Sequence, residues 1–325
     1  MSIFLKSLAL VFVSIALSFL TLELYVRAFV DDGLNYELEM WKYAKLLKQV
    51  SDDPNIGHEH RPNTSARLMG VDVATNSAKL RDREFPLEKP KGSIRILMLG
   101  DSITFGWGVE ATDSVTQQLE SEFSNRFPKR KIDVINAGVG NYNTAMEVSW
   151  FLSKGISYEP DIVVLNYFVN DAELMPARRG GVLRENSAAY VFLASRFDAV
   201  RRRYIGGDWF NYYRALYASN APGWALTQAR IRELAKVCQE QNIKLVIASY
   251  PELHELTPYP LATVTHALAA LAKDLGVLFV DLLPSVADEI PQTLWVTPDD
   301  AHPNAVANRK YTRLLSDELA DFVSP

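Results

Sequence analysis

Five short apolar runs, alternating with segments of helical character, constrain the fold of this chain more than any other feature. The runs are Ile94–Leu99, Ile132–Ile135, Asp161–Tyr167, Lys244–Ser249 and Val277–Val280. A strand that is apolar at consecutive positions suits a parallel sheet, which is covered on both faces. The alternation therefore predicts an α/β fold with a three-layer, doubly wound, mostly parallel five-stranded sheet. At 325 residues and 48% hydrophobic content, the chain can bury such a core in one large domain.

Polar residues follow three of the predicted strands at their carboxyl ends. Asp101 and Ser102 follow the first strand, the loop 138–143 follows the second, and Asn170 follows the third. Ligands of open α/β sheets bind beyond this edge of the sheet. A serine placed there presents its hydroxyl to a ligand, although serine also commonly caps a helix or turn. Ser102 is thus the candidate nucleophile.

The segment Asp299-Asp300-Ala301-His302 supplies the other groups that a serine nucleophile requires. A hydroxyl needs a base to take its proton, and the base needs a group that orients it. His302 is the candidate base, because the other histidines have no aspartate three positions earlier. Asp299 lies three positions before His302, and the spacing alone does not exclude Asp300.

Four sequence blocks, in order, make the chain resemble the SGNH hydrolases, also called GDSL esterases or lipases. The blocks are Gly100–Ile103, Asn136–Thr144, Phe168–Asp171 and Asp299–Asn304. Each block alone is a weak signal, but their order and their positions after predicted strands make a specific one. The resemblance covers residues 94–322 and implies the flavodoxin-like SGNH hydrolase fold.

The resemblance also implies a reaction and the residues that perform it. The expected function is a serine esterase that hydrolyses a carboxylic ester through an acyl-enzyme. In that reading Ser102 is the nucleophile, His302 the base, and Asp299 the acid that orients the imidazole. The chemistry of the family needs no cofactor and no metal.

The same resemblance implies three hydrogen-bond donors for the oxyanion of the tetrahedral intermediate. They are the backbone N–H of Ser102, a backbone N–H of the second block, and the side-chain amide of Asn170. The second-block donor falls at Asn141, where the family has glycine, with Gly140 as the alternative. A backbone donor requires no particular side chain, and asparagine tolerates left-handed backbone geometry better than most residues, so this replacement is compatible with a donor in the second block. Phe168 likewise replaces a glycine of the third block.

The amino-terminal segment predicts a membrane attachment. The run Ser7–Leu22 carries no charge and, with Ile3–Leu5 added, is long enough to span a bilayer. We interpret residues 1–30 as an uncleaved signal anchor; a cleaved signal peptide is the alternative, but Glu23–Arg27 lacks the small residues of a cleavage site. Lys6 precedes the span, which favours a single-pass protein of the cytoplasmic membrane with its catalytic domain outside, in the periplasm or extracytoplasmic space.

The rest of the chain divides into two further regions. Residues 31–92 are expected to hold a juxtamembrane helix followed by an irregular or β-containing segment, and residues 93–325 form the hydrolase-like domain. An insertion at 172–222, rich in arginine and aromatic residues, interrupts the alternation directly after the third block. It is interpreted as a cap over the site, with a surface subdomain and a contact with anionic lipid as alternatives.

Composition narrows the classes of partner. The formal net charge is −5 and no long basic stretch lies outside the insertion, which disfavours nucleic acid. Cys238 is the only cysteine, so one chain can form neither a disulfide nor a cysteine metal cluster. The expected partners are an ester substrate (an acylated glycan, a lipid or a small ester), the membrane and proteins of envelope biosynthesis. Two alternatives stay open: an O-acyltransferase or O-acetyltransferase that uses the same triad on an envelope glycan, and a non-catalytic, membrane-anchored assembly protein.

Overall fold

A long apolar helix and a short second helix begin the chain. The computed structural model describes residues 3–176, 180–205 and 208–324. Helix α1 (Ile3–Tyr25) continues into a turn of π-helix (Val26–Val30). Helix α2 (Tyr36–Leu46) begins where the Asn35 side chain accepts a hydrogen bond from the N–H of Leu38. The helical segment 3–30 is long and apolar enough to cross a membrane, and its apolar part is not buried against the protein.

Two antiparallel hairpins follow α2, which agrees with the expected β-containing segment. The first pairs β1 (Lys48–Val50) with β2 (His58–His60), and the second pairs β3 (Ser65–Leu68) with β4 (Val71–Ala74). The remaining helices and strands, in chain order, are β5 (Ser93–Gly100), α3 (Ser102–Phe105), α4 (Val115–Arg126), β6 (Lys131–Gly138), α5 (Thr144–Ser153), β7 (Ile162–Tyr167), α6 (Val182–Asn186), α7 (Ala188–Ile205), α8 (Trp209–Leu216), α9 (Pro222–Glu240), β8 (Lys244–Ser249), α10 (Ala262–Leu275), β9 (Leu278–Asp281), β10 (Trp295–Thr297), β11 (Asp300–Pro303) and α11 (Ala305–Val323).

The central sheet has five strands, and each of its pairings is parallel. The strand order is β6-β5-β7-β8-β9. With the five strands numbered in chain order, this is the 2-1-3-4-5 order of flavodoxin-like folds. The predicted doubly wound sheet is therefore confirmed, with the last strand displaced by one residue from the expected Val277–Val280.

Two apolar cores lie on opposite faces of this sheet, because successive side chains of a strand point to opposite faces. Leu97 and Leu99 of β5 face a core shared with α5, α9 and α10. Ile96 and Met98 face a second core shared with α4 and α11. The consecutive apolar residues of each strand thus pack against helices on both faces of the sheet, which confirms the three-layer architecture.

The order of the strands reverses at β5, which lies between β6 and β7. In open α/β sheets the crevice at such a switch point, beyond the carboxyl ends of the strands, is where ligands bind. Ser102 follows β5 and Asn170 follows β7, so the fold brings both residues to this crevice.

The helices of the insertion at 172–222 pack against two different parts of the protein. Its helices α6 and α7 contact α1 and α2, where Ala188 and Ala189 pack with Val26 and Leu38. Helix α8 packs beside the third block through Tyr213. Residues 177–179 and 206–207 of the insertion lie outside the described residues. The role of residues 172–222 as a cap, and the division of the chain at residues 30 and 92, stay predictions.

Candidate active site

Ser102 lies at the start of α3, two residues after Gly100, which ends β5. Asp101 fixes this turn, because its Oδ1 accepts a hydrogen bond of 2.9 Å from the N–H of Ile103. Burial raises the pKa of Asp101 above its ordinary value, although the Ile103 N–H and the nearby His302 oppose that rise. Ser102 is buried except for a small exposed fraction of 7%. The local sequence therefore holds the serine rigidly at the switch point.

His302 comes from the hairpin β10–β11, two hundred positions along the chain, and its Nε2 lies 2.9 Å from Ser102 Oγ. Its Nδ1 lies 2.5 Å from Asp300 Oδ1. An ionised carboxylate only accepts hydrogen bonds, so Nδ1 carries the proton and Nε2 accepts from the serine hydroxyl. This tautomer is the one in which an imidazole takes a proton from serine.

The acid that contacts His302 is Asp300, which corrects the expectation of Asp299. Side chains two positions apart share a face of a strand, whereas odd spacings place them on opposite faces. Since β11 runs from Asp300 to Pro303, Asp300 and His302 lie on one face. Asp300 is buried and also accepts from the N–H of His302, whereas Asp299 precedes the strand and is exposed.

The electrostatics of this pair follow from burial and charge. Burial disfavours the charged forms of Asp300 and His302. The opposite charge of the partner and its hydrogen bond outweigh this effect for each of them. The Asp300 carboxylate thereby holds the pKa of His302 above its ordinary value, and His302 with Trp107 holds the pKa of Asp300 below its own. The imidazole is consequently poised to accept a proton as charge develops on it.

Sequence reasoning missed two aromatic residues beside the histidine. Trp107 Nε1 donates a hydrogen bond of 2.8 Å to Asp300 Oδ2, so both oxygens of this carboxylate are held. The rings of Tyr36 and Trp107 lie 5.8 and 6.3 Å from the His302 ring. The glycines that flank Trp107 were a visible signal of a tight turn, but nothing in the local pattern of α2 links Tyr36 to a histidine so far along the chain.

Two of the expected oxyanion donors, Asn170 and Asn141, and the alternative donor Gly140 lie in different surroundings. Asn170 Nδ2 donates to Asp101 Oδ2 at 3.2 Å, the same oxygen that the Ser102 hydroxyl approaches at 3.4 Å. Asn141 adopts a left-handed φ of 65°, and its N–H makes no hydrogen bond within the described part of the chain. The N–H of Gly140 donates to the hydroxyl of Tyr43 at 2.9 Å, which removes Gly140 as the alternative donor.

The described residues contain no group of three or more His, Cys, Asp or Glu side chains that could hold a metal ion. His254 resembles His302 locally, because its ring contacts the Glu252 carboxylate two positions earlier. His254 packs against Trp209 and Trp295, however, and makes no hydrogen bond to Ser102.

A comparison with protein families places the chain in one of them. The sequence model of the GDSL-like Lipase/Acylhydrolase family matches residues 98–310, which is more than half of the chain and includes Ser102, Asn170 and His302. The chain belongs to the GDSL-like lipase/acylhydrolase family. This GDSL-like protein is accordingly a hydrolase that acts on ester bonds.

Several solved structures resemble this GDSL-like hydrolase in fold at low sequence identity. TesA is 15% identical with a TM-score of 0.46, over 70% of this chain and 98% of its own. A mutant of Axe2, an acetyl-xylooligosaccharide esterase from Geobacillus Stearmophilus, is 14% identical with a TM-score of 0.47, over 71% and 96%. A two-domain esterase active on acetylated mannans is 16% identical with a TM-score of 0.45, over 70% and 49%.

One curated relative matches a shorter part of the GDSL-like hydrolase. It is an uncharacterized protein of Mycoplasma pneumoniae, 33% identical over 88 residues. The match covers 27% of this chain and 10% of that protein. It therefore spans only about a tenth of the relative's length.

Proposed function

We propose that this protein is a serine esterase that cleaves a carboxylic ester through an acyl-enzyme on Ser102. The observation that carries the proposal is the continuous relay from Asp300 through His302 to Ser102, with contacts of 2.5 and 2.9 Å. A nucleophile, a base and an orienting carboxylate within hydrogen-bond reach form the arrangement that activates serine.

The chemical steps follow from the tautomer of His302. Ser102 Oγ attacks the carbonyl carbon of the ester while its proton passes to Nε2. The tetrahedral intermediate collapses when Nε2–H gives that proton to the departing alkoxide, which leaves as the alcohol. Water then attacks the acyl-enzyme with His302 again as base, and the acid is released as Ser102 regains its proton.

We assign the oxyanion to three donors: the N–H groups of Ser102 and Asn141 and the amide of Asn170. The Asn170 amide already lies at the carboxylate beside the Ser102 hydroxyl, and the Asn141 N–H makes no other hydrogen bond among the described residues. Removal of one such donor typically lowers turnover by roughly 10²–10³-fold.

The pH dependence of hydrolysis gives a first prediction. Only the neutral imidazole accepts a proton, so kcat/KM should fall as the pH drops through the pKa of His302. Because Asp300 raises that pKa, the fall should begin at a higher pH than for an ordinary histidine. A profile of kcat/KM from pH 5 to 8 measures this, and a flat profile would contradict the role of His302.

The chain's position at the membrane is a further part of the proposal. We infer that α1 is retained as an anchor, because its end is built into the folded protein. Glu23 accepts hydrogen bonds from Ser187 Oγ and from the N–H groups of Ala188 and Ala189 at the start of α7. Cleavage before Glu23 would keep these contacts, but cleavage after it would leave these three donors without their acceptor.

Retention of the anchor predicts which residues the mature protein keeps and where it is found. In membranes of the cell that makes it, the mature protein should still contain the helix Ile3–Tyr25 and should resist extraction with alkaline carbonate. Peptide mass mapping of the carbonate-washed membrane fraction checks both. A soluble form that begins near residue 30 would show that α1 is a cleaved signal peptide.

The reaction is tested by labelling the full-length protein, in detergent, with a fluorophosphonate. Intact-mass spectrometry should show one adduct on the parent protein and none on Ser102→Ala. Short acyl esters are then assayed with and without a glycan acceptor, and both free acid and transferred acyl group are measured. A folded parent that takes no label and cleaves no ester would favour the non-catalytic role.

A further inference from the structure

The loop that carries Asn141 is held by residues that lie outside the four family blocks and upstream of the matched segment. Tyr43, on α2, accepts a hydrogen bond from the N–H of Gly140. Its hydroxyl in turn lies 2.7 Å from His60 Nε2, and His60 Nδ1 lies 3.1 Å from the carbonyl oxygen of Lys79. This buried chain fixes the N–H side of Gly140.

Two side chains, those of Lys48 and His58, contact the carbonyl oxygen of Gly140. Lys48 Nζ donates to Gly140 O at 2.5 Å and to Asn141 Oδ1 at 2.9 Å. His58 Nε2 lies 3.0 Å from the same carbonyl oxygen. The peptide that joins Gly140 to Asn141 therefore has an oxygen that contacts Lys48 and an N–H that stays available.

Lys48 is an unusual group to find at this position. Its side chain is almost fully buried, and no carboxylate among the described residues forms an ion pair with it. Its ammonium lies 4.3 Å from the centre of the Tyr43 ring, and its hydrogen bonds to described residues go to oxygens of the loop. Burial of a cation without an opposite charge is costly, and burial lowers the pKa of Lys48 to about 7.

The fit between this cluster and the loop is close. A Cβ atom at Gly140 would lie 2.6 Å from Cε1 of Tyr43, which is too short for any real contact. Glycine at position 140 thus permits the ring to approach, and the approach brings both Tyr43 and Lys48 onto the loop. Packing alone would be satisfied by an apolar side chain in place of Lys48, so its charge needs another explanation.

The chemistry of the peptide group supplies one. The C=O of Gly140 and the N–H of Asn141 belong to one conjugated peptide unit. An N–H donor on the oxygen of a peptide withdraws electron density and makes the N–H of that peptide a stronger donor, most strongly when the donor is a cation, as hydrogen bonds in chains polarise one another. We propose that Lys48 is a positioning residue of the oxyanion site, which orients and polarises the Gly140–Asn141 peptide toward the developing negative charge. This inference rests on the proposed esterase function.

The matching experiment uses the full-length protein and a short acyl ester. Lys48→Met, of similar length but uncharged, should lower kcat by about 10- to 100-fold and leave KM within a few-fold, because the donor weakens most in the transition state. The rate of fluorophosphonate labelling should fall by a similar factor. Since a buried unpaired charge is removed, Tm should stay the same or rise.

Three comparisons make the result decisive. Lys48→Arg keeps a cation and should recover most of the lost kcat, while Lys154→Met removes a lysine whose ammonium pairs with Glu59 in the same region and should leave kcat unchanged. Unchanged kcat in Lys48→Met, or a loss of kcat that matches a lower Tm and a higher KM, would overturn the inference. Ser102→Ala is measured in parallel: if it stays active, the proposed function itself fails; if it is inactive while Lys48→Met equals the parent, only the inference on Lys48 fails.

Discussion

Ser102→Ala should lower kcat for ester hydrolysis by roughly 10⁴-fold or more, and His302→Ala should lower it by a similar factor. The double variant should be no worse than either single one. The two side chains form one hydrogen bond of 2.9 Å and act in one proton transfer, so removal of either already prevents the activation of the serine. What activity remains comes from binding and from the oxyanion donors.

Steady-state kinetics of the three variants measure this effect, and circular dichroism confirms that each is folded. His254→Ala is the matched control, since His254 also contacts a carboxylate two positions earlier but does not touch Ser102. Its kcat on a small ester should stay within a few-fold of the parent. Losses in the single variants that multiply in the double variant would contradict a shared mechanism.

Asp300→Asn should lower kcat by about 10³–10⁴-fold, whereas Asp299→Asn should have almost no effect. The carboxylate of Asp300 accepts the Nδ1 proton of His302 and the Nε1 proton of Trp107. An amide that still accepts from Trp107 turns its NH₂ toward Nδ1 and favours the tautomer with the proton on Nε2, which cannot accept from serine. The variant retains the shape of the site and loses its protonation pattern.

A pH profile separates this effect from a general loss of structure. Without the Asp300 carboxylate, burial lowers the pKa of His302 and only the charge of Asp101 opposes it, so the acid limb of kcat/KM should move to lower pH in Asp300→Asn. In Asp299→Asn the limb should stay in place, because Asp299 is exposed and does not contact the imidazole. If Asp299→Asn were the damaging change, the assignment of Asp300 as the orienting acid would be wrong.

The central sheet was predictable because the residues that indicate each strand are neighbours in the sequence. Ile96 and Met98 face one core while Leu97 and Leu99 face the other, so a strand of the central sheet is apolar at every position and stands out in the sequence. The positions of Ser102 and Asn170 follow from the same reasoning, since they come directly after such strands. The order of the strands is not written in any local pattern; the family resemblance supplied it.

Other parts of the site depend on contacts that local patterns do not record. The choice between Asp299 and Asp300 rests on the short strand β11, whose alternation places residues 300 and 302 together. A strand of four residues that ends in a proline gives little signal of its own. Lys48 and Gly140 are separated by 92 positions, and their contact arises only when the segment after α2 packs against the domain.

Tyr36 packs against His302 and follows Val30, the last residue of the π-helical turn, by only six positions. Because each residue of extended chain spans at most about 3.6 Å, the backbone beside the histidine lies within roughly 20 Å of the end of that turn. With α1 in a bilayer and the end of the π-helical turn at its surface, the reaction would take place within roughly 20 Å of that surface. An ester on a long polymer would then have to be brought down to the membrane surface, while an ester on a lipid-linked molecule would already be there.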